Sequence, residues 1–90
     1  MNKVAVVMGS KSDLPTVEKA IGVLREYGVQ MEVRVLSAHR CPNEAREFAA
    51  SARESGFSVI IAAAGMAAHL AGAMAANTTL PVIGIPCSGG

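Results

Sequence analysis

The sequence predicts an α/β fold, a parallel doubly wound sheet with helices on both faces. Two short β-branched runs, Lys3–Met8 and Phe57–Ala63, show no polar alternation, the pattern of strands buried on both sides. Stretches with apolar residues at helical spacing separate the strand-like runs, giving the order strand-helix-strand-helix-strand-helix-strand. That order requires crossover connections and so a parallel sheet. Polar turns stand at the ends of the apolar runs, where open parallel sheets bind ligands.

The elements follow in order. After Lys3–Met8 comes turn chemistry, Gly9-Ser10-Lys11-Ser12-Asp13, in which Asp13 or Ser12 is the expected cap of the next helix. Val17, Ile21, Val23, Leu24 and Tyr27 recur at helical spacing from Leu14 to Tyr27, with Pro15 in the first turn and Gly28 as the stop. Met31, Val33 and Val35 alternate with Glu32 and Arg34, predicting a strand with one open face near a sheet edge. Pro42 sets a second helix start, and Ala45, Phe48, Ala49 and Ala52 form its stripe up to Gly56. Met66–Ala76, almost all small and apolar, predicts a short buried helix despite Gly72. Leu80–Ile85 supplies a fourth strand, introduced by Pro81.

Ninety residues, 51% of them hydrophobic, with one Tyr, two Phe and no Trp, allow a single small domain of tightly packed aliphatic layers. No helix is expected to cover the last strand before Pro86-Cys87-Ser88-Gly89-Gly90. The domain over 1–90 is therefore expected to be incomplete at its C-terminus, the first part of a longer unit. A net charge of +1, without aromatic residues interleaved among basic ones, argues against a nucleic-acid or membrane surface. No apolar run reaches the roughly 18 residues of a membrane span. Met1-Asn2-Lys3-Val4 runs straight into a strand, without the apolar segment of a secretory signal. Cys41 and Cys87 lie far apart and show no metal-ligand spacing, so a reduced, cytoplasmic protein is expected.

The strand-end turns carry the chemistry. Hydroxyls, free backbone amides and a helix start form a ready anion site, and Arg40 adds a charge-assisted contact to phosphate oxygens. Asp13 would repel phosphate yet accept hydrogen bonds from a ribose diol, so a sugar phosphate satisfies both groups. His39 puts an imidazole beside Arg40, and an unperturbed imidazole titrates near about 6.5, able to give and take a proton at cell pH.

Each residue also has a plainer reading. Asp13 is equally a helix cap, and Ser10 and Ser12 are ordinary turn residues. Lys11 receives no role. Arg40 taken singly is a solvated surface residue, and His39 a structural hydrogen-bonder. His69 in its Ala-rich segment is by default a satisfied core histidine, Met66 and Met74 are packing residues, and Cys41 is a weak cap. Spacing excludes other chemistries: there is no complete P-loop, no Gly-x-Gly-x-x-Gly fingerprint, no metal-ligand cluster and no nucleophile elbow.

Met8-Gly9-Ser10-Lys11-Ser12-Asp13, Ser37-Ala38-His39-Arg40-Cys41-Pro42, Ala64-Gly65-Met66-Ala67-Ala68-His69-Leu70 and Leu80-Pro81-Val82-Ile83-Gly84-Ile85-Pro86, in that order, resemble the PurE family of purine biosynthesis. The resemblance implies a three-layer, flavodoxin-like (Rossmann-like) subunit of a homo-octamer, with active sites between subunits and no cofactor or metal. It implies N5-carboxyaminoimidazole ribonucleotide mutase activity, in which a carboxylate leaves nitrogen as carbon dioxide and is re-added at carbon 4 of the imidazole. Ser10, Asp13 and Arg40 would bind the ribonucleotide and His39 would transfer the proton. Ser12, Gly65, Met66, Ala67 and His69 would line the substrate and carbon dioxide pocket.

The sequence departs from the family pattern at Cys41, where Thr is usual, at Ala71, where Pro is usual, and at Met66, a small-residue position. The Ala67-Ala68-His69-Leu70 run favours the mutase over related carboxylases that use free carbon dioxide. A non-catalytic nucleotide-binding module is the alternative of another class.

Overall fold

The computed structural model describes residues 3–37, 40–64 and 70–87. The elements are β1 (Lys3–Met8), a 3-10 turn (Lys11–Asp13), α1 (Leu14–Glu26), β2 (Gln30–Val35), α2 (Pro42–Ser51), β3 (Phe57–Ala64), α3 (Leu70–Ala75) and β4 (Val82–Pro86). The strands form one sheet in the order β2-β1-β3-β4, with every neighbouring pair parallel. From β1 the chain goes first to one side (β2) and then to the other (β3, β4), so the order reverses between β1 and β3. Met8 pairs with Val35 and Ala63, and Ala64 with Pro86, which brings all four carboxyl ends to one rim.

Register divides the side chains between two layers. On one face Val4, Val6, Met8 and Ala63 pack with Cys87 against Val17 and Ile21 of α1, with Leu24 half-buried beside them. On the other, Ala5, Val7, Ile60 and Ala62 pack against Ala45, Ala49 and Ala52 of the α2 segment and Leu70 and Met74 of α3. The alanines let these helices lie close to the sheet, as the composition predicts. Phe48 and Phe57 meet at 5.5 Å between ring centroids. Arg34 lies over Phe48 and Lys3 over Phe57, both cations bonded to Glu32.

α1 closes on a glycine, and so does the turn that follows α2. Gly28 takes φ 70°, with its N–H donating to Arg25 O and Val29 N–H to Leu24 O at 3.0 Å each. Gly56 takes φ 96°, with Gly56 N–H on Arg53 O at 3.1 Å and Phe57 N–H on Ala52 O at 3.0 Å. These paired bonds satisfy the last carbonyls and turn the chain straight into the next strand.

Several expectations change. Val23 and Tyr27 satisfy helical spacing, but they lie on the flank of α1 and stay exposed, Tyr27 at 80%. β2 is an edge strand, as the alternation predicts, but Val33 and Val35 of its apolar face are also open because α1 covers the middle of the sheet. Ile83 of β4 is exposed on that same face at the opposite edge. Asp13 holds the N-cap position of α1 without a side-chain capping bond, and Cys41 does the same for α2. The capping is done by Ser10, on the 3-10 turn. Of the helix expected over Met66–Ala76, residues 66–69 lie outside the described residues; Met74 is fully buried, as the packing reading requires.

Candidate functional site

β1 ends at Met8, and Gly9 then donates its N–H to Ala63 O of β3 at 3.0 Å, while Leu36 N–H donates to Met8 O at 2.8 Å. The chain leaving β1 is thus anchored to both neighbouring strands before it turns. Ser10 is extended, and its Oγ accepts from Ser12 N–H at 3.2 Å and shares a 2.9 Å hydrogen bond with Ser12 Oγ. Asp13 N–H donates to Ser10 O at 3.0 Å and closes the turn. After β2, Ser37 organises a second turn: its Oγ accepts from Arg40 N–H at 3.1 Å and its carbonyl from Cys41 N–H at 2.8 Å. Pro42 then begins α2, and Ala45 N–H reaches back to Cys41 O at 3.0 Å.

The two turns face each other across a cavity of about 330 Å³. Gly9, Ser10 and Lys11 line one side; Val35, Ser37, Arg40 and Cys41 line the other. Among the described residues the wall carries two cations and two serine hydroxyls and no carboxylate, which suits an anion such as a phosphate group. It opens at the carboxyl rim of the parallel sheet, where α/β folds bind ligands.

Ser10 and Arg40 therefore share one wall. Ser12 is exposed and holds Ser10 in place without lining the cavity itself. Asp13 stands apart: it is buried, at 8% exposure, and does not form the cavity wall. A Cβ at Gly9 would lie 4.0 Å from Asp13 Oδ2, so the carboxylate sits directly behind that glycine. His39, Gly65, Met66, Ala67 and His69 lie outside the described residues. Lys11, given no role above, is on the cavity wall, and so are Ser37 and Cys41. The Ser-x-x-Arg spacing of Ser37 and Arg40, which fits a side chain capping its own turn, was the available signal for Ser37.

Behind the rim, a smaller cavity of about 280 Å³ separates α3 from the ends of β3 and β4. Ala62, Ala64, Leu70 and Ala71 line it with Gly84, Ile85 and Pro86, none of which carries a polar side chain. The Cys87 thiol is pushed up by burial first and then by the Asp13 charge. It therefore stays protonated at neutral pH. Among the described residues, no group of three metal-ligating side chains occurs, and no helix is long and apolar enough to cross a membrane.

Residues 3–90 match the family described as AIR carboxylase. The chain is 52% identical over 86 residues to the N5-carboxyaminoimidazole ribonucleotide mutase of Pyrococcus abyssi, covering 96% of this chain and 49% of that protein. It is 51% identical over 86 residues to the phosphoribosylaminoimidazole carboxylase of Saccharomyces cerevisiae, covering 96% of this chain and 15% of that protein. The crystal structure of Treponema denticola PurE superposes with a TM-score of 0.86 at 24% identity, over 97% of this chain and 56% of that one. This likeness supports the flavodoxin-like α/β fold. The chain spans about half the length of the mutase it matches.

Proposed function

The chain belongs to the AIR carboxylase family, and on that footing we propose that the whole protein is an N5-carboxyaminoimidazole ribonucleotide mutase of purine biosynthesis. The observation that carries the reading is the cavity between the Gly9–Lys11 and Ser37–Cys41 turns, which offers hydroxyls and cations to a phosphate at the sheet's carboxyl rim. Ser10 and Arg40 hold the ribonucleotide's phosphate, with Lys11 adding charge. Asp13, behind Gly9, accepts the ribose diol. Ser12 keeps the Ser10 hydroxyl oriented through its 2.9 Å hydrogen bond.

His39, next to Arg40 in sequence, gives a proton to the exocyclic nitrogen as the carboxylate departs as carbon dioxide. Carbon 4 of the imidazole then attacks the trapped carbon dioxide, and His39 takes the proton that carbon 4 releases. Atoms balance without any external co-reactant, cofactor or metal. Gly65, Met66, Ala67 and His69 form the pocket that retains carbon dioxide, and confinement supplies a large proximity effect. The protein works in the cytoplasm as a homo-octamer, of which 1–90 forms part of one larger α/β domain. Open apolar residues at both sheet edges, Val33, Val35 and Ile83, support burial against further protein.

Incubating the whole protein with the carbamate substrate tests this, with carboxyaminoimidazole ribonucleotide as the expected product. His39→Asn should lower turnover by about 10²- to 10⁴-fold while ribonucleotide binding persists. Undiminished turnover in that variant would refute the assignment. A direct carboxylase is the second reading, favoured by the name of the yeast relative. Product formed from aminoimidazole ribonucleotide and bicarbonate, without the carbamate, would establish it instead.

A further inference from the structure

Arg40 stands on the anion cavity without an ion-pair partner among the described residues, so no carboxylate there fixes its long side chain. Its placement comes from its backbone, and that backbone hangs on one residue. Ser37 Oγ accepts the Arg40 N–H at 3.1 Å, Ser37 O accepts the Cys41 N–H at 2.8 Å, and Pro42 after them has no N–H. Ser37 thus takes every backbone donor from Arg40 to the start of α2. It is itself held at the end of β2, because Leu36 before it is buried and donates its N–H to Met8 O of β1. The opposite turn uses the same device, with Ser10 Oγ accepting from Ser12 N–H at 3.2 Å.

We propose that Ser37 is a positioning residue for Arg40: its hydroxyl ties the Arg40 amide to the end of β2 and so holds the Arg40 side chain over the anion cavity. A hydroxyl oxygen accepts the amide without bringing a charge that would compete for the guanidinium. With the Arg40 and Cys41 amides both taken, the guanidinium is what this stretch of chain offers to an anion. Without the hydroxyl one of the two ties is lost, the guanidinium samples more positions, and binding must order it at the ligand's expense. The inference rests on the reading of Arg40 as a phosphate ligand.

The test uses the whole protein and two readouts that need no turnover. Calorimetric titration with ribose 5-phosphate should show binding weakened roughly three- to tenfold in Ser37→Ala, the loss of one modest hydrogen bond. Ser37→Thr, which keeps the acceptor, should bind within about twofold of the parent. Deuterium exchange of the Arg40 amide, read by mass spectrometry, should speed up in Ser37→Ala and not in Ser37→Thr. In an Arg40→Ala background, Ser37→Ala should cost no further affinity, because it acts through Arg40. Additive losses in that double variant would mean that the Ser37 hydroxyl meets the phosphate directly, and they overturn the proposal. So does an Arg40 amide that exchanges equally fast in parent and Ser37→Ala, or a Thr variant as weak as the Ala variant at equal thermal stability. Failure of the mutase reading would appear separately, as absence of turnover in a parent protein whose binding and exchange results all hold.

Discussion

Gly84→Ala probes how α3 is seated on β4. A Cβ at Gly84 would lie 3.2 Å from the Cβ of Ala71, against the roughly 3.5–4.0 Å of an ordinary carbon contact. The two elements must then part by about half an ångström, across a cavity wall that both residues share. Overpacking of this kind costs about 1–3 kcal/mol. Replacing glycine restricts the unfolded chain and returns about 0.4–1 kcal/mol. The expected net loss is therefore about 1 kcal/mol, read as a lower urea midpoint at constant slope. In an Ala71→Gly background the opposing methyl is gone, so Gly84→Ala should become neutral or stabilising. The double-mutant cycle should give a coupling of about 1–2 kcal/mol, within the range for residues in contact. Additivity within about 0.3 kcal/mol would refute the close approach.

Met74 is fully buried between α3 and the sheet, so Met74→Ala should cost about 2–5 kcal/mol, seen as a lower thermal midpoint. The Glu32 carboxyl is held below its ordinary value chiefly by its hydrogen bond from Arg34; loss of hydration pushes the other way, and the nearby Lys3 and Arg34 charges lower it further. A depressed carboxyl stabilises the fold above its unfolded pKa and loses that contribution as pH falls through the folded value. Glu32→Gln should therefore lower stability slightly at neutral pH and leave strongly acid pH nearly unchanged, flattening the acid side of the profile; an unaltered acid limb in denaturant titrations would count against this.

Much of the fold was legible because burial leaves a periodic trace. Lys3–Met8 and Phe57–Ala63 lack polar alternation because both faces of those central strands are covered, and Gly28 and Gly56 mark turns that need positive φ. Periodicity fails where coverage is uneven. Val23, Val33 and Val35 match their templates, yet one helix lies over the middle of that face and leaves the flanks open. The candidate site was legible to the extent that motifs named its turns. Ser10 and Arg40 share a cavity because β2 lies beside β1, a fact of sheet order that spacing along the chain does not encode. The same omission left Lys11 and Ser37 without roles. Asp13 was weighed as a cap because Asp favours that position, but the Ser10 hydroxyl does the capping and the carboxylate goes inward.

The two glycine-terminated helix exits divide the molecule functionally. Both lie at the sheet's amino ends, opposite the serine and arginine turns, and each uses a left-handed residue with no side-chain contact around it. Any other residue at Gly28 or Gly56 would strain the backbone locally without displacing a neighbour. Damage at this end should thus appear as shortened lifetime of the folded chain, whereas damage at the opposite rim should appear as altered recognition in a chain that remains folded. A mutational survey that records abundance and ligand capture separately would divide along the strand axis, with its boundary midway between these glycines and Gly9.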